Sequence, residues 1–337
     1  MDILARPHPQ LAPLASRLRL LAAFTEQPPA SARLPLPYQA VPVGLRDLIA
    51  KGIGRFNRRR LETRPGFPLW PLDLSADLLS DLAGLHNPLA QGPAPVILTH
   101  DLDTPEGLDN LLRLFLPVEE RLGARSVNFL PPKAWPLDLA QLDEVAARGH
   151  ALGIHGFDHN NRTPFCLPEE RKKRLDAAAS LVERYGIRGY RAPSLLRSQA
   201  LLRDLSSRYF FDSSIPSSGG LFPVPGNGCA SARPFLAEGI LELPISLPRD
   251  ANLWFLGYSA QEILAVWKQC ALRIAASGGV VVLLTHCEAR FSGKSPLWET
   301  SLRFLEFLAE CDQFRFSTPA EVFALADGPA PCGRVDA

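Results

Sequence analysis

From residue 94 onward, short apolar runs alternate with stretches whose apolar residues recur at helical spacing. Short apolar runs between turn residues are typical of strands buried in a parallel sheet, and their alternation with helices indicates βαβ units. The predicted strands lie near residues 95–99, 124–130, 151–155, 188–192, 209–213, 239–245, 279–285 and 314–317. The predicted helices span residues 106–122, 139–148, 169–185, 198–207, 260–276 and 298–310. This series predicts a closed or nearly closed, distorted (β/α)7–8 barrel, with a doubly wound open sheet as the alternative.

The first 90 residues show a different pattern. A short amphipathic helix is predicted over residues 14–24, proline-rich and basic stretches follow, and a second helix is predicted over residues 77–85. Nothing in this segment repeats, and it lacks the strand–helix alternation of a separate α/β domain. We therefore predict three parts: an N-terminal extension that wraps the barrel (1–90), the β/α barrel (91–327) and a tail (328–337).

Composition excludes several classes of protein. The net charge is +1, and no basic patch of nucleic-acid-binding size and no G-x-G-x-x-G or Walker loop is present, so neither a nucleic acid nor a nucleotide cofactor is expected. Six cysteines without a C-x-x-C pair predict free thiols and no cysteine metal site. Arg17 and Arg19 interrupt the N-terminal apolar stretch, and no apolar run has bilayer length, so we expect a cytoplasmic protein without a transmembrane segment.

Polar residues with catalytic chemistry stand where predicted strands end. Asp101 and Asp103 follow the first strand, His155 and His159 follow the third, and His286 ends the seventh. Taken singly, these residues fit a solvated turn or a hydrogen-bonded buried histidine equally well. However, α/β folds carry their sites at the carboxyl ends of strands. Two histidines four residues apart can meet on one face of a helical turn and share a metal, which Asp101 or Asp103 would complete.

Two further charged residues end the fourth and fifth predicted strands. Arg191 would place a fixed cation among the carboxylates and keep one of them ionised at neutral pH. Asp212 could orient a histidine and raise its basicity. A purely structural ion pair is an equal alternative for each of these residues.

Together, these motifs resemble the polysaccharide deacetylases of the NodB-homology group, carbohydrate esterase family 4, in the D-x-D variant. The resemblance covers roughly residues 94–325, and the motifs occur in the order of the family. The matching motifs are Thr99-His-Asp-Leu-Asp103, His155-x-x-x-His159, Arg191-x-Pro193 and Leu283-x-x-His286. This chain departs from the common T-F-D-D-G motif, since Leu102 separates the aspartates and Thr104 replaces the glycine.

The resemblance implies a distorted β/α barrel and one bound divalent metal ion, zinc in the first instance, with cobalt or nickel as alternatives. Asp103, His155 and His159 match the metal ligands of the family. The presence of these residues argues against a metal-free descendant that only binds carbohydrate, which is the alternative outside enzymes.

The resemblance also implies the catalytic roles. Asp101 matches the base, Arg191 the residue that keeps this base ionised, and His286 the acid that protonates the departing amine. The aspartate that tunes His286 is left open by the sequence, because Asp212 and Asp250 both qualify, and Asp212 is included in the catalytic set.

The implied substrate is an N-acylated amino sugar in a glycan or glycan precursor. A cytoplasmic location favours a nucleotide- or lipid-linked precursor, and acetate is the expected acid product. A deformylase or a hydrolase of cyclic imides or ureides on the same scaffold is the enzymatic alternative. Besides Pro193, the candidate substrate-binding residues are aromatic side chains that could stack on a sugar ring or equally pack in the core: Trp70, Trp135, Trp254 and Phe255.

Overall fold

The computed structural model describes residues 10–21, 23–25, 27–33, 41–63, 69–218 and 228–327. Within these residues, nine strands form one sheet in the order β6-β7-β5-β4-β3-β2-β1-β8, with β9 also paired to β1. The strands are β1 (Ala94–Asp101), β2 (Ser126–Leu130), β3 (Ala151–Ile154), β4 (Gly189–Tyr190), β5 (Phe211–Asp212), β6 (Phe235–Ala237), β7 (Ile240–Glu242), β8 (Val281–His286) and β9 (Phe314–Phe316). All pairs are parallel except β6 with β7.

Helices follow most of the strands and cover the sheet. The α-helices of the described residues are α1 (Leu11–Leu21), α2 (Ala30–Arg33), α3 (Val43–Thr63), α4 (Ser75–Leu82), α5 (Pro105–Asn110), α6 (Leu116–Arg121), α7 (Leu139–Ala147), α8 (Pro168–Asp176), α9 (Ala179–Tyr185), α10 (Gln199–Ser206), α11 (Asp250–Phe255), α12 (Ala260–Ala276), α13 (Leu297–Glu310) and α14 (Pro319–Asp327). A π-helical turn at Leu111–Phe115 joins α5 to α6. Single 3-10 turns lie at Pro88–Ala90, Thr163–Phe165 and Pro193–Leu195.

The eight predicted strands are all present, and the mostly parallel sheet confirms the α/β class. Strand β1 is buried along its whole length, as expected for a parallel strand covered on both faces. Strand β6 was not predicted, because it is a three-residue edge strand whose central residue, Leu236, is 66% exposed. Because such a strand is buried on just one side, its hydrophobic pattern in the sequence is weak.

The helix predictions differ from the structure at several places, and the short helices α2, α11 and α14 were not predicted. The stretch 106–122 is divided by the π-helical turn, and Pro117, which lacks a backbone N–H donor, stands at the start of α6. The stretch 169–185 is divided into α8 and α9 by a turn at residues 177–178. Helix α3 was missed because its two internal glycines, Gly52 and Gly54, lower helix propensity.

The interior of the curved sheet is filled by side chains from strands that are distant in the sheet order. Apolar residues of β1, β2, β5, β8 and the segment after β7 pack together and against α14. The main members of this cluster are Ile97, Val127, Phe129, Phe211, Leu243, Val282, Val322 and Phe323. A shared interior of this kind requires the sheet to curl strongly around its own apolar face.

No strand ladder joins β7 to β8 in the described part of the chain, but hydrogen bonds bridge the gap. The Leu247 N–H donates to the Val282 carbonyl at 3.2 Å, and the Val282 N–H donates to Ser246 Oγ at 2.8 Å. The Ser246 hydroxyl donates in turn to the Val280 carbonyl at 2.7 Å. A serine side chain thus replaces a strand partner at this point, and a fully closed barrel stays a prediction.

The described parts of the N-terminal segment contact the sheet domain at several places. Asp77 of α4 accepts hydrogen bonds from the Ser231 hydroxyl at 2.5 Å and the Ala232 N–H at 2.7 Å. The Thr25 N–H donates to the Arg197 carbonyl at 2.9 Å. These contacts agree with a wrapping extension, although the boundary at residue 90 stays a prediction. Phe67, Pro68 and the predicted tail, residues 328–337, lie outside the described residues.

The cysteines within the described residues carry free thiols: Cys166, Cys229, Cys270, Cys287 and Cys311. None of the helices that the structure describes combines the length and the apolar character needed to cross a membrane.

Candidate metal and catalytic site

The alternation of side chains along β1 decides which residues of the first motif face the sheet interior. Ile97, Thr99 and Asp101 share one face, since residues two apart point the same way in a strand. His100 points to the other face, where its Nε2 lies 2.6 Å from Glu119 Oε1 of α6. His100 therefore belongs to a buried hydrogen-bonded pair behind the sheet and is not brought to the site.

Strand register brings the remaining motifs to one end of the sheet. Asp101 is the direct partner of His286 in the β1–β8 ladder. His155 follows β3 and Arg191 follows β4 at the same end, because all these strands are parallel. Asp103 lies two residues beyond Asp101, in the turn that leads into α5.

Three side chains at this end are arranged as metal ligands. Asp103 Oδ1 lies 3.5 Å from His155 Nε2 and 3.1 Å from His159 Nε2. Apart from these imidazole nitrogens, the buried Asp103 Oδ1 has no hydrogen-bond partner. In a tetrahedral zinc site with bonds of about 2.0–2.1 Å, two ligand atoms lie roughly 3.3 Å apart. The spacing and the chemistry of the set Asp103, His155 and His159 therefore fit one divalent ion.

The two histidines meet through a loop rather than through the helical turn that their spacing suggested. Gly156 has a φ of 68° and His159 a φ of 60°, values that a right-handed helix does not allow. A Cβ atom at Gly156 would lie 2.5 Å from the Pro193 ring, so a glycine is required there. The buried Pro193 thus shapes the histidine loop, and its contact with substrate stays a prediction.

The protonation states of the ligands suit a cation. Burial lowers the pKa of His155 to about 4, so this imidazole is neutral at pH 7. Its Nδ1 donates to the Arg191 carbonyl at 3.0 Å, which leaves Nε2 free to bind a metal. Burial opposes ionisation of Asp103, but the charge and hydrogen bond of His159 outweigh it and hold the pKa of Asp103 below its usual range.

A buried ion pair lies on one side of this cluster. Arg191 Nη1 donates to Asp101 Oδ1 and to Thr99 Oγ1, each at 3.0 Å. The Ser213 carbonyl and hydroxyl accept from the other guanidinium nitrogens at 2.9 Å, so Arg191 is fixed. Burial alone would raise the pKa of Asp101, but the interactions with the nearby His155 and with the permanently charged Arg191 guanidinium outweigh it and lower that pKa. Asp101 is thus an ionised carboxylate.

A histidine–aspartate pair also lies at this end of the sheet. His286 Nδ1 is 2.8 Å from Asp250 Oδ1, and the His286 N–H donates to Asp250 Oδ2 at 2.9 Å. The Ser292 hydroxyl also donates to Asp250, at 2.7 Å. Burial would lower the pKa of His286, but the charge and hydrogen bond of Asp250 raise it to about 9. The imidazole is therefore held protonated, with Nε2–H free.

Asp250 at the first position of α11, and not Asp212, is the aspartate that contacts His286. Asp212 accepts hydrogen bonds from the Ser214 hydroxyl at 2.7 Å and the Ser214 N–H at 3.2 Å. Its register partner is Glu242 on β7. Burial raises the pKa of Asp212, and burial together with the charge of Asp212 raises the pKa of Glu242 well above its usual range. The expectation that Asp212 belongs to the catalytic set is therefore not met, because its contacts are with Ser214 and Glu242 and not with His286.

Two of the candidate aromatic residues, Trp135 and Trp254, lie outside the cluster of charged groups. Trp135 is in the loop after β2 and lines a groove with Lys133 and Leu137. The Lys133 N–H donates to the Phe157 carbonyl at 2.9 Å, so this loop borders the histidine loop. Trp254 lies on α11, where its ring faces the Lys51 ammonium of α3 at 5.4 Å.

Two buried residues at this end were missed in the sequence, although each is within two residues of a motif. Glu288 Oε1 accepts from the Thr104 N–H at 3.1 Å, and its Oε2 is buried without a partner. Burial and the charge of Asp103 raise the pKa of Glu288 to about 8. Arg249, next to Asp250, is 8% exposed, and its Nε has no hydrogen-bond acceptor.

No protein-family profile and no curated protein sequence matches this chain. Solved structures match its fold. A protein described as a polysaccharide deacetylase from Pseudomonas aeruginosa PAO1 aligns with 78% of this chain and 99% of its own length, at 14% identity and a TM-score of 0.58. Another so described, from Mycobacterium smegmatis, aligns with 70% of this chain and 90% of its own, at 17% identity and a TM-score of 0.54.

The structure of PuuE allantoinase aligns with 71% of this chain and 92% of its own, at 12% identity and a TM-score of 0.55. At these identities the likeness establishes the fold, and the activity has to be argued from the site. The described chain has the α/β fold that the polysaccharide deacetylases share.

Proposed function

We propose that this protein is a metal-dependent hydrolase that removes an N-acyl group, acetyl in the first instance, from an amino sugar in a glycan or glycan precursor. One observation carries the proposal: Asp103 Oδ1 lies 3.5 and 3.1 Å from two imidazole nitrogens, and an ionised carboxylate, Asp101, and a protonated imidazole, His286, lie at the same end of the sheet. A base and an acid beside a cation site are what amide hydrolysis requires.

Asp103, His155 and His159 would hold one divalent ion, zinc with cobalt or nickel as alternatives. When bound, the ion supplies a Lewis acid for the acyl oxygen and lowers the pKa of its water toward ~7. Two of the three ligands are in the state that metal binding requires, because His155 is neutral and Asp103 is ionised. The proton on His159 leaves when this residue binds the ion, so metal affinity falls at low pH.

Asp101 takes the proton from the attacking water. Arg191 fixes the Asp101 carboxylate by the hydrogen bond at 3.0 Å and keeps it ionised. His286 gives its Nε2 proton to the departing nitrogen, because an amine anion is a very poor leaving group. Asp250 holds Nδ1–H of His286 and stabilises the positive charge until the proton is transferred.

Other C–N bonds are chemically within reach of the same residues. An allantoinase shares the fold, so the fold does not separate an N-acetyl amino sugar from a ureide, a cyclic imide or a formamide. A substrate panel in which acetate, formate and ammonia are each measured separates these reactions. A protein that only binds carbohydrate would release none of the three.

Metal analysis of paired variants tests the proposal. We expect near-stoichiometric divalent metal in the parent and its loss in His155→Ala and His159→Ala, with the fold retained. Asp103→Asn is expected to weaken metal binding, whereas Asp101→Asn keeps the metal and loses turnover. Full metal content in either histidine variant would refute the ligand set, and the reverse pattern in the aspartate variants would exchange their roles.

A linked sugar precursor is the substrate form favoured by the expected cytoplasmic location.

A further inference from the structure

Arg249 is a buried cation at the active-site end of the sheet for which the mechanism above has no use. It directly precedes Asp250 and α11, and only 8% of the residue is exposed. With Trp70, Leu195 and Ser217 it lines a narrow cavity of about 10 Å³, which is the size of one water molecule.

The pairing of Arg249 differs from that of three other buried arginines. Arg191, Arg171 and Arg233 each contact a carboxylate, at 3.0, 2.6 and 2.7 Å respectively. Within the described chain, no carboxylate oxygen lies within 4.0 Å of the Arg249 guanidinium, whose hydrogen bond goes to Asn252 Oδ1 at 3.0 Å.

Two donors at this place are buried and unused. Arg249 Nε and Asn252 Nδ2 both lack an acceptor, and Asn252 is 3% exposed. A buried guanidinium without a counter-ion costs free energy, because it has lost water and gained no anion. An unpaired buried charge of this kind is expected where the charge binds a ligand.

Arg249 directly precedes Asp250, which contacts His286, so its charge lies near the reacting groups. Burial lowers the pKa of Arg249, and the largest opposing effects come from the carboxylates of Asp101 and Asp250, with a smaller one from Asp103. Arg249 thus lies within Coulombic reach of the proposed base and of a metal ligand. With a divalent ion on Asp103, the charged groups here become predominantly positive, which favours an anion.

We propose that Arg249, together with Asn252, binds an anionic group on the substrate, a phosphate or a carboxylate carried by the sugar whose N-acyl group is removed. The planar guanidinium fork matches the paired oxygens of either group. This inference rests on the proposed function and names its substrate class: acidic N-acyl amino sugars rather than neutral ones.

Two substrate pairs test the inference with the full-length, metal-loaded protein. N-Acetylglucosamine 1-phosphate is compared with N-acetylglucosamine for the phosphate, and N-acetylmuramic acid with N-acetylglucosamine for the carboxylate. Acetate release gives kcat/KM, and calorimetry gives Kd for the same compounds. We expect the parent to prefer one anionic member by about 10- to 100-fold, the range of a hydrogen bond to a charged group.

Arg249→Met should bring this preference close to one, and Arg249→Lys should retain part of it. Asn252→Asp places a carboxylate beside Arg249 that occupies the fork, so it should abolish the preference while relieving the unpaired charge. Arg203→Met is the matched control, because the Arg203 side chain is 62% exposed and pairs with Glu238 at the surface. This control should leave the preference unchanged.

An equal proportional loss on anionic and neutral substrates in Arg249→Met would make Arg249 a positioning residue and overturn the inference. No preference in the parent, in kcat/KM or in Kd, would overturn it as well. The parent could also bind an anionic compound more tightly than the neutral one, lose this preference in Arg249→Met, and release acetate from none of the compounds. This result would support the anion site and reject the proposed hydrolysis. The two failures are therefore distinguishable.

Discussion

The partners of two buried titratable residues decide which of them acts as base and which as acid. Burial alone would favour the neutral form of both Asp101 and His286. Arg191 and the neighbouring His155 reverse this effect for Asp101, and Asp250 reverses it for His286. The pKa values of the two groups are thereby pushed to opposite sides of neutrality, so one accepts and the other donates a proton at pH 7.

His286→Ala should damage amide hydrolysis more than hydrolysis of an activated ester. An alkoxide leaves without much help, whereas an amine needs a proton, so the difference should fall within the ~10²–10⁴-fold of general acid catalysis. Metal content should stay at the parent level. Equal losses on the two substrates, or loss of metal, would remove His286 from the acid role.

Asp250→Asn should move the alkaline limb of the pH–rate profile toward lower pH. The limb reports loss of the His286 proton, whose pKa is raised from 6.5 to about 9, so activity is present below that pKa and lost as pH rises through it. A cation bound to Asp103 would cancel the part of this increase that comes from the Asp103 charge. We therefore expect the alkaline limb of the parent between pH 6.5 and about pH 9. Without the Asp250 charge, the limb should fall by about 1–2 pH units.

Asp212→Asn is the matched control, since it makes the same chemical change at a buried aspartate that contacts Ser214 and Glu242. Its alkaline limb should coincide with that of the parent. A limb that moves in Asp212→Asn and stays in Asp250→Asn would reverse the assignment of the two aspartates.

Among the helices, α3 and α11 show how the N-terminal segment reaches the site. Gly54 of α3 is buried against the backbone of α11, and a Cβ atom at this position would overlap the Phe255 carbonyl. Helix α11 begins at Asp250, so its placement sets the partner of His286. The packing of α3 on α11 therefore affects catalysis by positioning α11, and not through a contact with substrate.

Gly54→Ala should lower Tm and slow amide hydrolysis, because the added methyl group forces α11 away from α3. Overpacking of this kind costs about 1–3 kcal/mol. Gly52→Ala in the same helix is the control, since a Cβ atom there has no neighbour within 4 Å. Because alanine has a higher helix propensity than glycine, the free energy of unfolding of Gly52→Ala should equal that of the parent or exceed it by up to ~1 kcal/mol. Equal Tm values for the two variants would contradict the close approach.

In the whole molecule, the described part of residues 1–90 contributes to more than one apolar cluster. Leu72 is buried beside α12 and α13, and Leu89 packs into the sheet interior. Asp77 satisfies the buried Ala232 N–H and pairs with Arg19 at 3.2 Å. Removal of this segment would expose apolar surface and leave a buried donor without its acceptor.

A chain truncated to residues 91–337 should therefore be less soluble and melt at a lower temperature than the parent. Size-exclusion chromatography and thermal melting measure both effects. A truncated chain that stays monodisperse and melts like the parent would show that residues 1–90 are dispensable for folding.

The sequence by itself determined the α/β class, the positions of eight strands and the polar residues at their ends. A parallel strand buried on both faces is apolar throughout, so the run that ends in Asp101 is visible without a structure. Because the carboxyl ends of parallel strands meet, Asp103, His155 and His286 could be expected at one place.

Only the tertiary structure decided which of these residues are partners. Asp250 meets His286 because α11 begins against the end of β8, whereas strand register places Asp212 beside Glu242. Both arrangements join residues far apart in the chain, and no local pattern encodes them. The missing counter-ion of Arg249 is likewise a property of the folded chain, because a charge is paired or unpaired only by what packs around it.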